Sequence, residues 1–207
     1  MKIIRNLSLI LIIAAMCGPL MAQTLTPRSA STAMNKSVAE MQQEQVRWTT
    51  ISSAAQQKNS DKLYFIDFYT SWCGWCKRMD VDVFTDATVV KLLNKYFVPV
   101  KFNAEGQSEF VWGGTRYVAT PTPRGARAQV HSFAKAVLGQ QLGFPSFGVF
   151  GSDQQLITVI QGYQPVQDMT MMLWFIASGD YKKYSYDKYQ AIFNKTIRPV
   201  MDEALKK

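Results

Sequence analysis

The stretch Phe65-Ile66-Asp67-Phe68-Tyr69-Thr70-Ser71-Trp72-Cys73-Gly74-Trp75-Cys76 decides how the chain is read. Its first half is an apolar, aromatic run without alternation, the pattern of a short strand buried on both faces. One acid, Asp67, stands inside that run. A carboxylate there costs several kcal/mol unless it is neutral or paired. The second half is a Cys-x-x-Cys. Two thiols separated by two residues at a helix start can close a small ring and reopen it. Cys73 is expected at the helix N-terminus, where unpaired amides and the positive end of the dipole stabilise a thiolate. Lys77 and Arg78 follow at once and add to that field. Cys73 is therefore the expected nucleophile, and Cys76, one turn further in, the resolving thiol.

Cysteine arithmetic sharpens the reading. The 207-residue chain has three cysteines and one histidine. Residues 1–22 have the form of a secretory signal: Lys2 and Arg5, then the apolar run Leu7 to Ala15, then the small Ala22 before Gln23. That run is short for a membrane span, although an uncleaved anchor is the alternative. Cys17 is expected to leave with this segment, because Met16 before it suits lipoprotein processing poorly. Cys73 and Cys76 then remain as the only thiols, in an exported, periplasmic setting where disulfides persist. They can bridge each other, exchange with a partner, or bind a third group. A c-type haem needs His after the second Cys, and Lys77 stands there. Zinc needs four ligands, and two thiols with the single His131 fall short. A structural disulfide closing so small a loop constrains an unfolded chain little. Thiol–disulfide exchange leads, with metal binding and an inert disulfide behind it. No cofactor or metal is expected.

The formal charge of +8 falls to about +6 without Lys2 and Arg5. Lys182, Lys183, Lys188, Lys195, Arg198, Lys206 and Lys207 supply much of the excess, spread as on a solvated helix. No nucleic-acid motif is present.

Outward from the opening stretch, residues 23–36 form a polar leader. Patterning predicts a helix over 37–57 built on Val38, Met41, Val46, Trp48 and Ile51, and a turn at Asn59-Ser60-Asp61. After the strand from Leu63 to Tyr69, a helix starts at Gly74 and breaks around Val83 to Thr85. Thr85 or Asp86 caps a second helix over 89–96. A second buried strand spans Phe97 to Asn103. An insertion over about 105–127 carries a hairpin, Phe110 to Val118, turning at Gly113-Gly114; it either shapes a substrate groove or forms a surface flap. A helix follows from Ala126 to Leu138, ended by Gly139 or Gly143. It contains His131, expected to be structural or exposed. A strand opens at Phe144-Pro145, pairs with Leu156 to Gln161, and leads into an apolar helix over 167–178 closed by Gly179. Residues 180–207 form a helical extension with Tyr189, Ile192, Phe193, Ile197 and Val200 on one face. The order predicts an α/β fold, a central mixed sheet with helices on both faces.

Phe65 to Cys76 resembles the thioredoxin signature, a strand with a buried Asp six residues before the first Cys. Trp-Cys-Gly-Trp-Cys-Lys-Arg-Met is similar to exported thioredoxin-like proteins and to the C-terminal domain of membrane thiol:disulfide interchange proteins. The resemblance covers roughly Leu63 to Ser178 and implies a thioredoxin-like fold for residues 37–179. It implies that Asp67 accepts the proton of the resolving thiol and that Lys101 pairs with it. It also implies that Pro145 is a cis-proline facing the cysteines, and that Trp72, Gly74, Trp75, Phe144, Pro145 and Gly162 line the substrate surface. Trp75 stands where cytosolic thioredoxins carry proline. The implied function is an exported, monomeric oxidoreductase that reduces protein disulfides and is recharged by a transmembrane electron donor. The alternatives are a disulfide oxidase or isomerase, and a non-catalytic binding or chaperone module.

Overall fold

The structure, a computed structural model, describes residues 44–57, 61–140 and 142–207. The expected signal segment and polar leader, the first turns of the helix expected from residue 37 and most of the turn expected at 59–61 lie outside the described residues.

Four strands form the central sheet: β1 (Leu63–Tyr69), β2 (Phe97–Asn103), β5 (Ser146–Phe150) and β6 (Leu156–Gln161), in the order β2-β1-β5-β6. β1 runs parallel to β2 and antiparallel to β5, and β5 pairs antiparallel with β6. β1 lies in the middle and is buried on both faces, which explains its unbroken apolar run.

Each face has its own core. Phe65, Phe97, Phe147 and Val149 project to one side, beneath helices α2 (Gly74–Asp82), α3 (Ala87–Tyr96) and α5 (Val166–Ala177). Tyr64, Ile66, Phe68, Val100, Phe102 and Phe150 project to the other, beneath α1 (Ile51–Gln56) and α4 (Ser132–Leu138). Gly148 lies on this second face. A Cβ there would come within 2.9 Å of the Phe150 ring and 3.1 Å of the Phe68 ring, so packing requires glycine. The hairpin of β3 (Phe110–Trp112) and β4 (Thr115–Tyr117) turns at Gly113 and Gly114, both with positive φ as a two-residue primed turn demands. It is no loose flap: Phe110 and Trp112 are buried in the second core, packed among Phe102, Phe133 and Phe150.

Three expectations need correction. Among the described residues, the helix expected over 37–57 is formed only by Ile51–Gln56, capped by Thr50. Glu44 to Thr50 has no helical turn. Thr49 bridges in parallel to Val100, its N–H donating to the Pro99 carbonyl at 2.9 Å. Val46 and Trp48 thus obey a period of two, not 3.6. The helix expected from Ala126 starts at Ser132, because His131 caps it: His131 Nδ1 accepts the Phe133 N–H at 3.1 Å while Nε2 meets the Ser108 carbonyl at 2.7 Å. His131 is fully buried, its ring stacked on Phe110.

The third concerns the tail. It folds as a 3₁₀ turn (Asp180–Lys182), α6 (Tyr186–Ile192), a π turn (Phe193–Ile197) and α7 (Arg198–Lys206). Pro199 has no N–H for the i→i−4 ladder and its ring crowds the carbonyl four residues back, so the helix widens just before it. The widening adds a residue to the turn and rotates the helix beyond it. Tyr189, Phe193 and Met201 are buried, whereas Val200, expected inward, is 61% exposed. Met201→Ala should therefore lose ~2 kcal/mol or more in urea unfolding, and Val200→Ala should stay within ~0.5 kcal/mol of the parent. The reverse order would refute the shifted register.

Candidate functional site

The site lies at the C-terminal end of β1. Cys73 is the N-cap of α2, extended in backbone (φ −72°, ψ 105°), and its Sγ accepts the Cys76 N–H at 3.0 Å. Cys73 and Cys76 are joined in a disulfide with Cα atoms 5.3 Å apart, and both are nearly buried. A thiolate on Cys73 would meet the same amide and the positive end of the helix. α2 stops at Val83, where the amides of Val83 and Phe84 both turn to the Met79 carbonyl. Asp86 restarts the chain as α3, accepting from Thr88 and Val89.

Asp67 shares its side of β1 with Phe65, the side covered by α2. It is 1% exposed. The parallel ladder sets Asp67 opposite Lys101, and Lys101 Nζ donates to Asp67 Oδ2 at 2.6 Å. The same ammonium also holds Asp80 Oδ1, on α2 and half exposed. It lies 4.8 Å from the Trp48 ring centre and 5.3 Å from those of Tyr69 and Phe84. Burial pushes the Asp67 carboxyl up to about 6, against the opposing pull of Lys101, with Asp80 adding to the rise. Burial pulls the Lys101 ammonium down, but the two carboxylates outweigh it and hold the group above the ordinary lysine range. Asp67 Oδ1 is buried and has no hydrogen-bond partner among the described residues. One oxygen is thus fixed by Lys101 and the other is open to a proton donor.

A second loop joins the site from β5. Phe68 pairs with Ser146, so the residue before it, Pro145, comes level with the end of β1. The Phe144–Pro145 bond is cis. Phe144 sets its ring 6.2 Å from Trp72, edge to face. Gly162, at the end of β6, donates its N–H to the Pro145 carbonyl at 2.8 Å. Trp72 and Trp75 are 67% and 58% exposed, and Gly74 is exposed between them. Cys73 and Cys76 thus stand at the start of α2, the Asp67–Lys101 pair is tied to the later part of the same helix through Asp80, and Trp72 and Trp75 lie exposed beside the cysteines, with Phe144, Pro145 and Gly162 joined to them through the Trp72–Phe144 contact.

Three members escaped sequence reading. Asp80, four residues after Cys76, is the second partner of Lys101. Glu105 accepts from Trp72 Nε1 at 3.1 Å through either oxygen. Tyr163 packs on Trp75 with ring centres 5.4 Å apart. Only the place of Tyr163, directly after Gly162, carried a signal. Among the described residues no group of three or more His, Cys, Asp or Glu is placed to hold a metal ion.

A family model described as "Thioredox_DsbH: Protein of unknown function, DUF255" matches residues 27–111, a span holding Asp67, both site cysteines and Lys101. No curated protein matches. Among solved structures, a thioredoxin-fold protein from Helicobacter pylori aligns with 76% of this chain and 87% of its own, at 16% identity and a TM-score of 0.50. A thioredoxin from Thermus thermophilus aligns with 69% of this chain and 98% of its own, at 18% identity and a TM-score of 0.46. The likeness is one of fold.

Asp67 titrates at about 6 in the folded chain against 3.8 ordinarily. The folded state therefore holds the extra proton between these values, and stability falls as pH rises through about 6. Asp67→Asn should be more stable than the parent disulfide form by ~3 kcal/mol at pH 8, with the difference vanishing toward pH 4. Urea unfolding across that range measures it, and a gap independent of pH would exclude a strained Asp67.

Proposed function

We propose that this thioredoxin-like chain is an exported thiol–disulfide oxidoreductase that reduces disulfides of other proteins. The observation that carries the reading is the Cys73–Cys76 disulfide at the N-terminus of α2, on the side of β1 that holds the buried Asp67–Lys101 pair. In the dithiol form, the Cys73 thiolate attacks one sulfur of a substrate disulfide. A mixed disulfide forms and the other substrate sulfur leaves as a thiolate. Cys76 gives its proton to Asp67 and attacks Cys73 Sγ. The Cys73–Cys76 bond closes and the second substrate thiolate leaves. Two electrons pass to the substrate, and the chain ends in the disulfide form described above.

Asp67 suits this role because its pKa of about 6 lies close enough to neutrality to take a proton and release it. Lys101 holds the charged form, and Asp80, half exposed, joins the pair to solvent. Export is supported by Lys2, Arg5, the apolar run Leu7 to Ala15 and the small Ala22. Among the described residues no helix is long and apolar enough to cross a membrane. In an exported compartment the oxidised pair needs an electron source, and a transmembrane dithiol donor fits that need. The chain acts as a monomer in this scheme.

A Cys76→Ser chain expressed in cells should accumulate mixed disulfides through Cys73. These should resolve into protein partners on non-reducing gels and collapse on reduction. Cys73→Ser should hold none. Recovery of no partner by the Cys76→Ser chain would count against exchange. A reduction potential near that of thioredoxin, about −270 mV, is expected for a reductant; a value near −120 mV would make it an oxidant.

A further inference from the structure

Two unlike aromatic walls flank the disulfide. On one side Trp72 leans on Phe144, and its indole N–H is held by the Glu105 carboxylate. On the other, Trp75 leans on Tyr163. Arg78 lies 6.0 Å over the Trp75 ring, its Nε donates to Asp82 at 3.0 Å, and the Tyr163 hydroxyl reaches the same Asp82 oxygen at 3.5 Å. Gln164, next to Tyr163, donates its N–H to Met79 Sδ at 3.4 Å. The second wall is thus a ring of contacts binding α2 to the loop after β6. Each indole is held by its neighbours and still more than half exposed. Fixed aromatic side chains lose little freedom on binding, and clustered exposed apolar surface marks an interaction site. The walls differ in charge, with the Glu105 carboxylate at one and the Arg78–Asp82 ion pair at the other.

We infer that the disulfide selects cysteines in extended polypeptide segments that carry a large apolar side chain on both sides of the cysteine, one for each wall, with Tyr163 as a specificity-determining residue. This rests on the exchange reading and narrows its substrate class. The Glu105 end suits a segment with a basic residue beyond the apolar side chain on that side. A small thiol such as glutathione offers no apolar side chain to either wall and is the disfavoured occupant.

The test uses the full chain in its dithiol form and pentapeptides whose central cysteine is disulfide-bonded to thionitrobenzoate. Attack by Cys73 joins it to the peptide sulfur and releases the coloured thiolate; Cys76 then closes the disulfide and frees the peptide thiol. Peptides with Phe-Cys-Phe centres should react about tenfold faster or more than those with Ser-Cys-Ser centres, each normalised to the glutathione mixed disulfide. Tyr163→Ala should cut that ratio several-fold, and Tyr163→Phe, which keeps the ring, should preserve it. Equal normalised rates for the two peptides in the parent chain would overturn the selection while leaving exchange intact. An unchanged ratio in Tyr163→Ala would remove Tyr163 from it. Failure to react with all three disulfides would overturn both the selection and the exchange reading beneath it.

Discussion

The Lys101 ammonium is the contact on which the site depends. It lies between two carboxylates, one buried on β1 and one half exposed on α2, with three aromatic rings about it. A lone carboxylate beneath that helix would be driven to its neutral form. Lys101 comes from the facing register position of the parallel ladder, so the backbone pairing of β1 with β2 is what delivers the charge. The compensation is partial. Asp67 remains well above an ordinary aspartate because its burial outweighs the pull of an ammonium it shares with Asp80. A fully satisfied Asp67 would be a better structural ion pair and a poorer proton acceptor.

The two faces of the sheet divide the work. The face under α2 holds the buried charge and both cysteines. The opposite face is an aromatic cluster of Phe68, Phe102, Phe110, Phe133 and Phe150, with His131 stacked among them as a cap whose two nitrogens are both engaged. The hairpin carrying Phe110 and Trp112 makes that second core deeper than α1 and α4 alone could. An insertion that in sequence could be decoration is thus part of what keeps β1 rigid beneath the disulfide.

The opening stretch and its strand neighbours were legible because burial on both faces leaves an unmistakable apolar run, and because Asp86 and the cysteines mark helix starts chemically. Val46 and Trp48 were misleading: two apolar residues flanking Arg47 fit either period when the rest of the segment is short. Ala126 to Val130 has residues fit for a helix, yet His131 spends its side chain on capping, which no propensity reveals. Val200 and Met201 exchanged places because one π turn slips the face, and Pro199 was the visible sign. Asp80 carries no sign of its role in the sequence, and Tyr163 only its place after Gly162. Their partners, Lys101 and Trp75, are far from them in sequence and meet them only through the folded topology.

The tail has a consequence for how the chain comes to be folded. Tyr189 and Phe193 lie in the core beneath α3 and α5, Phe175 packs at a tilt with its ring centre 4.5 Å from that of Tyr189, and Lys95 donates to the Ala204 carbonyl across 109 positions of sequence. The layer over the functional face is therefore sealed by residues that lie well after β1 and the cysteines in sequence. A chain emerging from its N-terminus must hold the apolar side of α5 open until residues 186–206 arrive. Completion of that layer therefore waits on contacts of long sequence separation, such as that between Lys95 and Ala204.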